Sequence, residues 1–257
     1  MLAPGTFDGR VAVVTGGGSG IGLAIAGELA RLGASVALLG RTEQTLRDAA
    51  AGLVERGAEV SVHAVDVRDR NGVDAVLHDV VDRHGRLDHL VNSAAGNFRV
   101  PPEDMSAGAW DAVVQIVEYG TWHCTQLAGR YWLEQGVAGS VLNIGSTMAQ
   151  DGGPDTVHSA SAKAAVETMT RSLAVAWGPR GIRLNVLVPG STEGTAGLAA
   201  LHTTHGEDAD PAAIVPLRRL GTRQELAEAA SYLLSDHASY ITGARLVMDG
   251  GRSLGRL

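Results

Sequence analysis

Lysine is nearly missing from this chain: of 21 basic residues, 20 are arginine and the single lysine is Lys163. A lysine kept against such a bias invites a chemical reason, because arginine cannot replace a compact ammonium of tunable pKa. Cysteine is as scarce. Cys124 alone allows no internal disulfide. There is no basic stripe, and the formal charge is -7, which argues against nucleic acid or an anionic membrane as partner. No apolar run approaches the length of a bilayer span. The first ten residues, MLAPGTFDGR, lack the charged and apolar regions of a secretory signal, and the final Gly-Arg-Leu is not a Ser-Lys-Leu type address. A cytoplasmic home is the expectation. His202 and His205 have no cysteine or carboxylate at metal spacing, so they read as pocket or surface residues and no metal is expected.

What is present is a large α/β pattern. With 257 residues and 45% hydrophobic content, the chain fits one domain, residues 1–257, with no visible linker. Its organising stretch is Arg10 to Gly22, RVAVVTGGGSGIG. The apolar strand Val11 to Thr15 runs straight into glycines that open an amphipathic helix carrying Ile21, Ala24, Ile25, Leu29 and Leu32. Gly16, Gly20 and Gly22 permit a tight turn, close approach to a phosphate and helix-on-strand packing. The helix N-terminus offers free N–H groups and a positive dipole end. Gly16, Gly18, Ser19, Gly20 and Ile21 are therefore expected to cradle a dinucleotide phosphate.

Further strands are predicted at Ser35 to Leu39, Glu59 to Val65, Leu87 to Val91, Ser140 to Ile144, Arg183 to Val188 and Ala244 to Met248, giving seven. Helices are predicted over Thr42 to Arg56, Asp69 to Arg83, Trp110 to Leu133, Ser159 to Trp177 and Arg223 to Leu234. The alternation implies a Rossmann-type single domain, a seven-stranded parallel sheet flanked by helices on both faces. Ser191 to Pro216, rich in Gly, Thr and His without clear periodicity, reads as a lid over a ligand. Arg41 follows the second strand where such folds meet the adenosine ribose; an acid there binds a 2′-hydroxyl, whereas arginine accommodates a 2′-phosphate. No acid lies between Val36 and Thr42, so NADP(H) is favoured. Asp66, Val67 and Arg68 stand at a strand's C-terminal end, where α/β sheets bind ligands.

Five motifs in order, Thr15 to Gly22, Asp66-Val67, Asn92 to Gly96, Arg183-Leu184-Asn185 with Pro189-Gly190, and Asp249-Gly250-Gly251, resemble the short-chain dehydrogenase/reductase superfamily over essentially the whole chain. Within it, Asn92 to Phe98, Ser159 to Lys163 and Pro189 to Thr195 are most similar to the 2,4-dienoyl-CoA reductases. The resemblance implies that Asn92, Ala94, Lys163, Pro189, Gly190 and Thr192 join Asp66 and Val67 in holding the cofactor. It also implies that Lys163 hydrogen-bonds the nicotinamide ribose. The superfamily usually forms homotetramers through helices corresponding to Trp110–Leu133 and Ser159–Trp177, and Arg252 to Leu257 would add contacts.

The superfamily's catalytic pattern of Asn, Ser and Tyr-x-x-x-Lys is only partly kept. Ser159 occupies the tyrosine position one helical turn before Lys163, Ser146 matches the catalytic serine, and Val117 stands at the asparagine. An alkyl hydroxyl is a far weaker acid than a phenol of pKa about 10, so ordinary ketone or alcohol chemistry is disfavoured. Conjugated thioesters fit better: hydride adds to the chain, the thioester oxygen collects charge, and hydrogen-bond donors suffice there. Both proton donors known in dienoyl-CoA reductases are absent, since Met148 and Val117 hold their positions. Tyr119 is the best replacement in sequence, ahead of His158, Asp151 and Asp155. Asn97, Phe98 and Arg68 are expected to line the substrate channel.

The leading expectation is an NADPH-dependent reductase of a conjugated enoyl or dienoyl thioester, using Ser146, Ser159 and Lys163 with Tyr119. Two alternatives stay open. One is an oxidoreductase or redox-neutral catalyst for another conjugated carbonyl; the other is a catalytically inactive cofactor-binding protein.

Overall fold

The computed structural model describes residues 2–195 and 210–255. Seven strands form one sheet: β1 Val11–Thr15, β2 Ser35–Gly40, β3 Val60–Ala64, β4 His89–Asn92, β5 Gly139–Ile144, β6 Ile182–Pro189 and β7 Arg245–Met248. All are parallel, in the order β3-β2-β1-β4-β5-β6-β7. The chain works outward from β1 to β3, then returns to set β4 beside β1. That reversal opens a crevice above the carboxyl ends of β1 and β4. Thr15 pairs with Asn92 and Asn92 with Asn143, so the loops that leave β1, β4 and β5 emerge at one level.

Because side chains alternate along a strand, each strand feeds two cores. Ala12, Val14, Val36, Leu38, Leu142 and Leu187 pack with helices α1 (Gly20–Arg31), α2 (Glu43–Val54) and α8 (Arg223–Leu234). Val11, Val13, Ala37, Leu39, Leu90 and Val141 pack with α3 (Arg70–His84), α5 (Gly120–Gln135) and α7 (Val157–Trp177) on the opposite face. Near-continuous apolar strands are what a sheet covered on both faces requires.

The stretch expected as one helix from Trp110 to Leu133 is three pieces. Helix α4 (Ala107–Val114) gives way to a π turn at Gln115–Tyr119, and α5 follows. The wider turn leaves Val117 O to the Thr121 hydroxyl at 2.6 Å, and Gly120 lets α5 press against Val67, whose Cγ2 would stand 2.5 Å from any added Cβ. π turns often mark functional sites, and this one abuts the crevice through Ile116 and Val117. The four-residue helix α6 (Met148–Asp151) is too short to leave a periodic signature. Of the expected lid, Ser191 to Thr195 and 210–216 are described; the remainder, with His202 and His205, lies outside the described residues.

Candidate active site

Above the strand ends lies a cleft of about 610 Å³. Its first half is built largely from backbone. Gly16, at φ +64°, sits so close to the β4 loop that a Cβ would be 2.9 Å from Ser93 O. A Cβ on Gly22 would run into the Gly16 carbonyl. Gly20 is different: at φ +56° it faces open space. The N-cap Ser19 makes no side-chain capping bond, and no acid occupies the first turn of α1. The helix therefore presents unclaimed N–H groups and its positive dipole end to the cleft, a fit for a dinucleotide phosphate. Thr15 fixes the facing loop, its hydroxyl accepting from Ser93 N at 3.1 Å and Ala94 N at 3.0 Å.

Gly18, Ser19, Gly20, Ile21, Arg41, Asp66, Val67 and Ala94 all line this half, joined by Thr42 and Thr45. Arg41 is exposed at the end of β2. Asp66 accepts from Arg68 Nη2 at 2.7 Å and from Arg68 N at 3.0 Å. The Arg68 guanidinium thereby holds the Asp66 carboxyl below its usual range despite partial burial.

The second half is built from side chains. Lys163, buried in α7, donates to Ile144 O at the end of β5. No carboxylate lies within ion-pair reach of it among the described residues, and burial pushes its pKa down to about 8. Ser159, one turn earlier and 8% exposed, uses its backbone N–H on His158 Nδ1 at 2.9 Å. Its hydroxyl has no protein partner among the described residues and borders the cleft. Ser146 Oγ accepts from Met148 N at 3.2 Å, and Met148 takes a hydrogen bond from Thr156 Oγ1, also at 3.2 Å. Asn97 and Phe98 also line the cleft, with the Phe98 ring edge-on to His158 at 4.8 Å.

Pro189, Gly190 and Thr192 complete this end. Gly190 N donates to Met248 O at 2.9 Å, and a Cβ there would lie 2.5 Å from Asp249 Cα. Thr192 Oγ1 donates to Gly190 O at 3.0 Å. No tyrosine is among the described residues that line the cleft.

Three expected site residues stand elsewhere. Asn92 is buried under the crevice, its Nδ2 donating to Thr125 Oγ1 at 2.9 Å and Asn143 Oδ1 at 2.8 Å. Arg68 lies outside the lining, committed to Asp66. Tyr119, the residue expected as a proton donor, ends the π turn 54% exposed, its ring edge-on to His123 and away from the lining. Among the weaker candidates, His158 is fully buried and outside the lining.

The sequence reading missed Thr156, Ser191, Thr195, Arg99 and Arg252, all of which line the cleft. Only the spacing of the Pro189-Gly190 loop could have pointed to Ser191 and Thr195. Arg99 and Arg252 arrive through loop and turn geometry that periodicity does not encode.

A family model described as Enoyl-(Acyl carrier protein) reductase matches residues 16–253. A probable 2,4-dienoyl-CoA reductase of Bacillus subtilis is 42% identical over 246 residues, covering 95% of this chain and 97% of that one. The crystal structure of a short chain dehydrogenase from Bacillus anthracis is 40% identical with a TM-score of 0.88, covering 97% of this chain and 98% of that one. A putative NAD(P) dependent gluconate 5-dehydrogenase from Beutenbergia cavernae, solved with bound NADP, is 35% identical with a TM-score of 0.91, covering 98% and 100%. With the glycine loop, the parallel sheet and the Ser159–Lys163 pair at the end of one crevice, these likenesses establish that the chain belongs to the short-chain dehydrogenase/reductase superfamily, on the side of the 2,4-dienoyl-CoA reductases.

Proposed function

We propose that the protein is an NADPH-dependent reductase of a conjugated enoyl or dienoyl thioester. The observation that carries this reading is a serine, Ser159, one turn before a buried Lys163 that has no carboxylate partner among the described residues, in a cleft whose described lining includes no phenol. Gly16, Gly18, Ser19, Gly20 and Ile21 would hold the cofactor's pyrophosphate and Arg41 its 2′-phosphate, with no acid on β2 to repel it. Asp66 and Val67 would border the adenine, and Ala94, Lys163, Pro189, Gly190 and Thr192 the nicotinamide riboside. When bound, the reduced cofactor supplies a hydride.

The chain's own residues then manage charge. Ser146 and Ser159 donate hydrogen bonds to the thioester oxygen as it becomes an enolate, and the Lys163 ammonium places positive charge beside it. Fixed donors in a water-poor site are worth more than in solution, because they need no reorganisation as the charge develops. A serine hydroxyl serves that oxygen without surrendering its proton, whereas a ketone's developing alkoxide needs a true acid; the enolate is then protonated at carbon by solvent water, which completes the reduction. Asn97 and Phe98 would border the acyl chain.

The chain would act as a homotetramer. Trp122 on α5 and Val175 on α7 are 41% and 81% exposed in the single chain, on the two helices through which such a contact would form; a tetrameric mass in solution is the expected result. No helix among the described residues is long and apolar enough to cross a membrane. The decisive assay follows NADPH oxidation with a 2,4-dienoyl-CoA, a 2-enoyl-CoA and simple ketones. Turnover of a conjugated thioester without turnover of ketones is expected; faster turnover of ketones overturns the reading.

A further inference from the structure

We propose that Arg252 grips an oxyanion of the substrate at the β6–β7 end of the cleft. The inference rests on the reductase reading. The turn that follows β7 is held from several sides. The Asp249 carboxylate accepts from Gly251 N and Ser253 N, each at 2.8 Å. Gly250 and Gly251 take φ of +65° and +87°, conformations that favour glycine. Leu217 N donates to Gly250 O at 3.2 Å, fastening the turn to the segment beside it. Asp249 is itself buried against Gly190. A turn restrained on this many sides presents Arg252 to the cleft at a set position.

The guanidinium so presented has little to hold. Its Nη1 donates to Ser191 Oγ at 3.0 Å, a neutral acceptor. No carboxylate lies within ion-pair distance among the described residues, whereas Arg68 has Asp66, Arg99 has Asp155 and Arg245 has Glu167. Asp249 is engaged with backbone N–H groups. Among the described residues one of the five N–H donors of this arginine fork is engaged, which leaves four for a ligand. A half-buried cation with free donors on a cleft wall is suited to an oxyanion, which it can hold in two-pronged fashion.

The cofactor's 2′-phosphate does not account for it. That group is expected at Arg41, at the end of β2, four strand positions from β6 in the sheet. At about 4.8 Å per strand the separation is about 19 Å. The pyrophosphate, expected at Gly16 to Ile21 above β1, is three strand positions from β6, about 14 Å by the same spacing, so the oxyanion is assigned to the substrate, either the thioester oxygen as it turns into an enolate or a phosphate of the carrier.

The test compares the native protein with Arg252→Gln and Arg252→Lys on a 2,4-dienoyl-CoA and on the matching pantetheine thioester, which lacks the phosphates. Arg252→Gln is expected to lower kcat/KM on the CoA thioester about 10- to 100-fold, the scale of one charge-assisted hydrogen bond. NADPH affinity and Tm are expected to hold. A higher KM confined to the CoA thioester, with partial rescue by lysine, assigns a carrier phosphate. A lower kcat on both thioesters assigns the thioester oxygen. Values within about twofold of native on both, the range of a neutral surface change, overturn the proposal, as does a loss matched by weaker NADPH binding or a lower Tm. Should the native protein reduce neither thioester, the reductase reading falls separately. Arg252 is then judged by titrating acetoacetyl-CoA, which offers both oxyanions, into the NADP+ complex. Binding weakened about tenfold by Arg252→Gln supports it; equal binding, or none to either protein, overturns it.

Discussion

On the β1–β2 side the cleft is made mostly of backbone, whereas beyond β4 it is made mostly of side chains. Gly16, Gly20 and Gly22 shape the first half through what they lack, leaving a carbonyl, a neighbouring loop and a helix end to make the surface. Ser146, Ser159 and Lys163 shape the second half through what they carry. A backbone-built site is hard to alter without loss of the turn. A side-chain-built site can change residue by residue while the sheet below it stays the same. The glycine cradle can therefore stay intact while the side chains beyond β4 are exchanged one at a time.

The largest effect is expected at Lys163. With both a hydrogen-bonding and a charge role proposed for its ammonium, Lys163→Ala is expected to reduce kcat/KM on a conjugated thioester by more than about 1000-fold, beyond the loss of one oxyanion donor. Arginine should not rescue it, since a planar fork does not fit the place of a compact ammonium. A pH series sharpens the point. Burial lowers the Lys163 pKa from 10.5 to about 8, so kcat should fall as pH rises through about 8 and the ammonium is lost. Stability moves the other way. Below about 8 the folded chain holds a charge that the unfolded chain keeps in water; that cost vanishes as pH climbs from about 8 to 10.5. Lys163→Met should accordingly raise Tm at neutral pH and raise it less near the upper limit. A Tm gain that does not depend on pH would refute this account.

Next in size is Ser159→Ala. The hydroxyl borders the cleft without a protein partner among the described residues, so its loss removes a donor and leaves the packing in place. A fall of about 100-fold in kcat is expected from steady-state kinetics, with NADPH affinity unchanged. Full activity would make Ser159 no more than a residue in the first turn of α7.

Across the cleft, Arg41→Asp should act on cofactor choice and little on kcat. Replacing a cation by an anion at a 2′-phosphate removes a charge-assisted interaction of about 2 kcal/mol, or about 30-fold in the ratio of NADPH to NADH affinity. Fluorescence titration of both cofactors measures it, and an unchanged ratio would reassign the phosphate.

The same division governs what the sequence could reveal. The five inner strands are legible because buried parallel strands read as apolar runs, and the spacing of Gly16, Gly20 and Gly22 encodes a backbone path directly. Ser159 and Lys163 are legible as a pair because four residues make one turn of α7. Arg252 is not: the Asp249 turn and the depth of the Ser191 loop bring it to the cleft, and neither leaves a period in the sequence. The π turn is hidden for a related reason, since one added residue changes which side chains face inward without changing the residues themselves. At Asn92 the resemblance implies a cofactor contact, and the structure shows what the sequence does not, a side-chain amide in a buried ladder running through Asn143 to Thr170.

The smallest effect is expected at Tyr119, and it tests whether position in the chain or position in space decides a role. In sequence it is the one phenol near the place where a proton donor is wanted. In space the π turn carries it to the surface, 54% exposed and edge-on to His123, outside the residues that line the cleft. Removing an exposed hydroxyl changes stability by no more than about 0.5 kcal/mol. Tyr119→Phe should therefore leave kcat and KM within about twofold of native, the same scale expressed as a rate. It should leave the pH profile set by Lys163 unmoved as well. A fall in kcat of the size expected for Ser159→Ala, with Tm unchanged, would mean that the turn brings Tyr119 inward when substrate binds, and the proton donor would then be a phenol.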